Sequence, residues 1–320
     1  MIRSGPRLAP SPVGCYRWGM SSRTIVPCIW FDDQAEQAAA FYVRTFPDSR
    51  VTATSHYPES SDNPSGRPRG SVLTVELEVA GQCFTALNGG PIFTVNPSIS
   101  FFVNVDTTEE ADRLFALLAD GGEVLMALDA YPWSERYGWV KDRFGVSWQV
   151  MAGRRQPGAA TIVPCLMFAG SQHGRAEEAM RLYAGIFPGG RIAGVERYAA
   201  GEGPPGTVKH GRFVLGGQEM VAMDSHIDHG VSFNEGLSLQ VMCQDQDELD
   251  RYWEALAEGG EPGPCGWLKD RFGLSWQVVP TAIAEWMTCK DAAARDRGFE
   301  AIMQMKKLDI AALRRAFDGA

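Results

Sequence analysis

Histidine is scarce and cysteine is odd in number in this 320-residue chain, five of the one and seven of the other. An odd cysteine count excludes a complete disulfide framework. Cys28, Cys83, Cys165, Cys243 and Cys265 lie in or beside apolar strand-like runs, which predicts reduced, buried thiols in a cytoplasmic protein. No CxxC pair occurs, so the usual structural zinc site is missing. No apolar run approaches the ~20 residues that span a bilayer, and the longest candidates, such as Ser98–Val105, are of strand length. A formal charge of −9 argues against nucleic acid or an anionic membrane as the main partner. The chain has no GxSxG elbow and no Walker loop. It also has no glycine-rich turn of the kind that seats a nucleotide-like cofactor after a parallel strand. The stretch Gly201–Gly206 contains two prolines and reads as a loop between strands. No cofactor is expected.

What the chain does have is a repeat. GWVKDRFGVSWQV from Gly138 returns as GWLKDRFGLSWQV from Gly266, with only Val140/Leu268 and Val146/Leu274 exchanged. Thr24-Ile25-Val26-Pro27-Cys28 returns as Thr161-Ile162-Val163-Pro164-Cys165. Between these ends, AEQAAAFYVRTFPDSRV from Ala35 matches AEEAMRLYAGIFPGGRI from Ala176, and NPSISFFVNVDTTEEADRLFALLADGGE matches NEGLSLQVMCQDQDELDRYWEALAEGGE. The matched order predicts two domains, over 23–153 and 160–280, joined by the linker-like AGRRQPGAA and followed by a helical tail over 281–320. Residues 1–22 are rich in Pro, Gly and Ser and read as a disordered leader, unless translation begins at Met20.

Each copy reads as β-α-β-β-β twice. Ile25–Phe31 is an apolar run ended by Asp32-Asp33, an N-cap signal for a helix whose Ala35, Ala38, Tyr42 and Phe46 share a face. Strands follow over Val51–Tyr57, Ser71–Val79 and Cys83–Leu87, the last two turning at Ala80-Gly81. The pattern restarts with a strand over Ser98–Val105 and a helix capped at Thr107 or Thr108. Glu123–Leu128, Arg136–Lys141 and Ser147–Val150 complete it. KDRFG is then a turn between the last two strands, where Gly145 and Gly273 can take positive φ, and the next Trp packs inward.

A paired β-α-β-β-β unit resembles the vicinal-oxygen-chelate superfamily, which includes glyoxalase I, fosfomycin and bleomycin resistance proteins and extradiol dioxygenases. IVPCIWF, AEQAAAFY, FPDSRV, GWVKDRFGVSWQV and the tail AIMQMKKLDIAALRRAF are similar to the PhnB-like family, labelled 3-demethylubiquinone-9 3-methyltransferase. The resemblance runs from Thr24 to about Phe317. It implies an α+β fold of tandem glyoxalase-like domains, each of two βαβββ modules forming a curved mixed sheet. It also implies that the two copies form an intramolecular pseudo-dimer where single-domain relatives would dimerise, and it leaves a further homodimer open.

Metal-dependent relatives hold a divalent ion with His on the first strand of each module and Glu on the last. Here the Glu position falls on Gln149 and Gln277. Alternation turns Val26, Cys28 and Trp30 toward the cavity in copy one, and Val163, Cys165 and Met167 in copy two. In the second modules it turns Ser98, Ser100 and Phe102, or Ser238 and Gln240, the same way. None is histidine, so no metal is expected. One pocket is expected from Cys28, Trp30, Ser100, Phe102 and Gln149, and a second from Cys165, Met167, Ser238, Gln240 and Gln277. Mixed apolar and uncharged polar walls point to a small apolar or aromatic ligand. The alternative is an enzyme of the same fold, a lyase, isomerase or the methyltransferase of the family label. Its base would come from Asp224-Ser225-His226-Ile227-Asp228-His229, with Asp224 or His226 as the catalytic candidates. Asp142-Arg143 and Asp270-Arg271 read as turn and ion-pair residues. The amphipathic tail reads as a cap on the second domain or a dimer contact.

Overall fold

The computed structural model describes residues 24–60, 63–153 and 158–320. The expected leader and the centre of the join lie outside these. The first module comprises Ile25–Phe31 (β1), Ala35–Thr45 (α1), Arg50–His56 (β2), Val72–Val79 (β3) and Gln82–Asn88 (β4). The second comprises Ile99–Val105 (β5), Thr108–Ala119 (α2), Glu123–Tyr131 (β6), Ser134–Lys141 (β7) and Ser147–Ala152 (β8). Copy two repeats the order with Ile162–Phe168 (β9), Ala176–Ile186 (α3), Arg191–Arg197 (β10), Val208–Leu215 (β11) and Gln218–Asp224 (β12). Its last module has Leu237–Cys243 (β13), Gln246–Ala257 (α4), Glu261–Pro262 (β14), Trp267–Lys269 (β15) and Ser275–Pro280 (β16). The tail forms Ile283–Met287 (α5), Ala292–Met303 (α6) and Ile310–Asp318 (α7).

These strands make two eight-stranded mixed sheets, and the modules pair across the copies. The first sheet runs β14-β15-β16-β13-β1-β4-β3-β2, and the second runs β10-β11-β12-β9-β5-β8-β7-β6. The α+β architecture of tandem glyoxalase-like domains is therefore present, but each sheet takes one module from each copy. At the two centres, β1 pairs antiparallel with β13, and β5 antiparallel with β9. The crossover segments that carry the chain between sheets are tied together: Asn96 Nδ2 donates to Ser232 O at 3.0 Å, and Asn234 Nδ2 donates to Thr94 O at 3.0 Å.

Inner faces of both sheets and the helices α1–α4 share one hydrophobic core. Phe84 of β4 meets Phe101 of β5 edge to face with ring centroids 5.0 Å apart, so the sheets touch directly. The repeated turn secures this core. Asp142, almost fully buried, accepts from Phe144 N and Val146 N through Oδ1, and from Trp148 Nε1 (2.8 Å) and Tyr42 Oη (2.9 Å) through Oδ2. Tyr42 sits on α1, so one carboxylate ties a helix of the first module to the closing turn of the second. Asp270 does the same with Phe272 N, Leu274 N, Trp276 Nε1 and Tyr183 Oη. Gly145 and Gly273 adopt φ of 87° and 81°, as the turn requires. Arg143 and Arg271 pair locally with Asp120 and Glu258.

Helix starts follow the sequence signals in part. Thr107 Oγ1 accepts from Glu110 N, and Asp245 Oδ1 accepts from Glu248 N. Asp32-Asp33 does not cap α1. Its N-cap position is Gln34 with no side-chain cap, and Ala35 N instead donates to Asn88 Oδ1 from the end of β4. No helix among the described residues is long and apolar enough to cross a membrane.

Candidate functional site

On the outer face of the first sheet, alternation brings together side chains from five strands. Cys28 on β1 stands opposite Ser238 on β13 and Thr85 on β4, and Gln240 stands opposite Gln277 on β16. A polar row results. Gln277 Nε2 donates to Ser238 Oγ at 2.8 Å, and Gln240 Nε2 donates to Gln277 Oε1 at 3.2 Å. The Thr85 hydroxyl lies 2.8 Å from Gln240 Oε1 and 2.7 Å from Glu76 Oε2, the latter on β3. Burial pushes the Cys28 thiol up to about 12, with hydrogen bonds from Gln277 and Ser238 opposing the shift and the Glu76 charge adding to it. A thiol in that state is neutral and a poor nucleophile at ordinary pH.

Above this row lies a cavity of about 550 Å³ whose floor includes Glu76, Thr85, Gln240 and Gln277. Its walls are chiefly apolar and include Trp30, Trp267, Phe93 and Met242. Trp30 is held by its Nε1, which donates to Gly90 O at 2.8 Å. Its ring covers Gly89 so closely that a Cβ there would lie 2.2 Å from the indole. The C-terminal tail roofs the cavity, with Met287, Phe299 and Met303 in its lining. At one edge of the sheet Phe299 meets Tyr57 at 6.0 Å between rings, and Ser60 N donates to Asp296 Oδ2 at 3.2 Å. At the other, Cys265 N and Gly266 N donate to Met305 O and Lys306 O, both at 2.7 Å.

The corresponding outer face of the second sheet is filled by its own side chains. Phe102, Tyr137, Val163, Cys165 and Val221 form a separate cluster, against which Met126, Tyr131, Trp139, Met151 and Met223 pack. The framework persists: Gln149 Nε2 donates to Ser100 Oγ at 2.8 Å, Tyr137 Oη donates to Gln149 Oε1 at 2.6 Å, and burial pushes Cys165 up to about 12. Phe102 occupies the position of Gln240, and Val221 that of Thr85. Length matters as much as chemistry. Glu123 to Gly138 spans ten residues more than Glu261 to Gly266 in copy two. The longer hairpin β6–β7 supplies Met126, Tyr131, Tyr137 and Trp139 to fill its face, whereas the truncated β14–β15 leaves room that the tail helices roof over.

The structure thus corrects the grouping expected for the two pockets. Cys28 and Trp30 converge with Ser238, Gln240 and Gln277, while Ser100, Phe102 and Gln149 converge with Cys165. Met167 continues the face of Val163 and Cys165 by alternation and is buried. The physical reason is that β5 and β13 are near copies, so the repeat alone does not choose which of them completes β1. Cys28 and Ser238 lie beneath the cavity floor rather than in its lining. The shortened hairpin and Glu76 carry no motif in the sequence, and the tail, expected as a cap on the second domain or a dimer contact, roofs a cavity that includes Gln240 and Gln277 of that copy. The ten-residue length difference between the copies was the available signal.

Asp224 and His226 stand apart from the cavity. Asp224 is buried, and its carboxylate accepts from Gly174 N at 2.8 Å, Ala176 N at 3.1 Å and Val208 N at 2.8 Å. It anchors the start of α3 to β11, so its lone pairs are committed to structure. His226 is exposed, with its ring edge to face with Tyr198 at 5.6 Å. His229 shares a 2.7 Å hydrogen bond with Ser225 Oγ, and Asp228 accepts from Gly230 N. This segment is a hydrogen-bonded loop.

The metal-ligand positions of the fold offer a neutral thiol, hydroxyls and amides. Among the described residues no group of three or more His, Cys, Asp or Glu is placed to hold an ion. The donor set does not fit a divalent transition metal. In the glycine-bearing turn before α3, the Gly174 and Ala176 amides are occupied by Asp224.

Four β-α-β-β-β modules in two mixed sheets define a fold of the vicinal-oxygen-chelate type. In fold the chain is similar to glyoxalase I from Zea mays, with a TM-score of 0.51 and 12% identity, covering 81% of this chain and 92% of that one. The model of the 3-demethylubiquinone-9 3-methyltransferase family matches residues 23–151 and 160–279, and the chain belongs to that family. About two fifths of this chain spans nearly the whole of a relative. A PhnB protein from Bacillus cereus is 33% identical over 40% of this chain and 98% of its own, with a TM-score of 0.37. Protein YjdN of Escherichia coli (strain K12) is 26% identical over 141 residues, 41% of this chain and 96% of that protein.

Proposed function

We propose that this member of the family binds a small organic molecule, without a metal ion, in the roofed cavity of the first sheet. One observation carries the reading: the same framework is built twice, and only one of the two faces is emptied, given a polar floor and covered. A protein whose faces served structure alone would gain by filling both, since an unfilled apolar space forfeits packing. Polar groups at the floor with aromatic and methionine walls are ordinary features of small-molecule sites. The neutral donor set supports binding that needs no ion. An enzymatic reading based on Asp224 or His226 lacks support, because the first is committed to three backbone amides and neither lies in the cavity. The cell compartment we infer is the cytoplasm, from Cys28, Cys165, Cys243, Cys265 and Cys289, none of which is in a disulfide.

A thermal-shift screen of small aromatic and heterocyclic compounds tests this. Compounds that raise the melting temperature should do so equally after exhaustive chelation. They should fail on Gln240→Trp, which fills the cavity from its floor, and still act on Phe102→Ala in the second sheet. Loss of every hit on chelation, or hits that persist in Gln240→Trp and vanish in Phe102→Ala, would refute the assignment.

A further inference from the structure

We propose that the cavity of the first sheet selects cationic ligands, an ammonium or guanidinium carried on an aromatic body, over neutral or anionic molecules of the same shape. The proposal rests on the reading that this cavity is the ligand site and adds the chemical class. The charged side chains among its lining are Glu76, Glu235, Glu261 and Lys269. Lys269 is held by Glu235 at 2.9 Å, so the one cation of the lining among the described residues is already paired. Glu76 at the floor and Glu261 at the rim leave the lining acidic.

The aromatic walls fit the same ligand. Trp30 meets Phe93 edge to face at 4.9 Å and Trp267 edge to face at 5.9 Å, so three rings surround one corner at steep mutual angles. Aromatic rings lining a cavity attract a cation and bury its apolar body. Trp30 is fixed by the Gly90 carbonyl and by the bare Gly89, so the corner exists before a ligand arrives.

Comparison of the two sheets gives independent support. Glu76 pairs across its hairpin with Thr85, and the matching pair in the second sheet is Arg212 with Val221. Thr74 likewise corresponds to His210, whose ring lies 5.8 Å from Phe102. At one framework position, then, the emptied face carries an acid and the filled face a base. The Glu76 charge is also felt at the floor, where it helps to hold the Cys28 proton.

The test uses the full chain and three probes of one shape: 1-naphthylmethylamine, protonated at neutral pH, 1-naphthylmethanol and 1-naphthoate. Titration calorimetry should show the ammonium binding about tenfold more tightly than the alcohol, with the carboxylate weakest. The preference should shrink in Glu76→Gln and, at the exposed rim where folding is not at stake, in Glu261→Gln. Trp267→Leu should weaken the ammonium most. Equal binding of the three probes, or an ammonium preference unchanged in both glutamine variants, overturns the charge selection and leaves the cavity a binding site. Failure of all three probes to bind overturns both.

Discussion

A carboxylate inside an apolar core is tolerated only when its lone pairs are met by donors. Asp142 and Asp270 each meet four, and each set includes a tyrosine from the neighbouring module. Burial still pushes both carboxyl groups above the usual carboxylate range, against the pull of those donors. Asp142→Ala should therefore strand Tyr42, Trp148 and two amides together, at a cost of about 3–5 kcal/mol read from urea unfolding. Asp224→Ala should likewise destabilise, freeing the start of α3, and should leave ligand binding in the first sheet unchanged. The buried thiols of Cys28 and Cys165 make a different prediction. Cys28 and Cys165 are raised to about 12 from an ordinary 9.0, so the folded chain keeps protons that the unfolded chain gives up. Their contribution is complete below about pH 9 and is lost as pH rises toward about 12. Denaturation midpoints should fall over that window, and the fall should be shallower in Cys28→Ala/Cys165→Ala.

Most elements could be read from period and punctuation, because a strand or helix carries its signal in consecutive residues. The seven residues of β1, the Thr107 cap and the turn glycines were legible for that reason. The start of α1 was not, since its acceptor, Asn88, lies 53 positions away and only folding brings it near. The tail was legible as amphipathic helices and a cap on the second domain, but not as the roof of a cavity shared by both copies, because an apolar stripe does not name what it covers. Its cohesion is local. Phe317 of α7 rests on Gly298 of α6, where a Cβ would lie 1.9 Å from the ring, and it also meets Trp286 of α5 at 5.2 Å. Removing a buried phenylalanine costs about 3–5 kcal/mol where the site cannot collapse. In a peripheral unit that cost appears as local opening. Phe317→Ala should accelerate amide exchange across residues 283–318 while protection in the two sheets holds, and ligand dissociation should quicken with it.

Partner choice between modules is a property that a repeat conceals. The antiparallel join of β1 to β13 could equally have been a join of β1 to β5, because both candidates are apolar strands with a serine at the second position. The connections decide it: 89–98 leads the chain out of the first sheet and 225–236 leads it back, and the two segments are bonded to each other. Every sheet consequently contains half of each copy, and one core joins them. Two domains matched end to end along a sequence would unfold separately if each owned its sheet. Here neither copy retains a complete sheet without the other, so calorimetry of the full chain should give one cooperative transition rather than two. Separately produced segments 24–153 and 160–320 should each expose the unpaired central strands β1 and β5, or β9 and β13. On mixing they should combine one to one and regain the cavity, which unites residues of both. Two independent melting transitions in the full chain, or a segment 160–320 that binds ligand alone, would show that β13 and β16 build the site without β1 and β4.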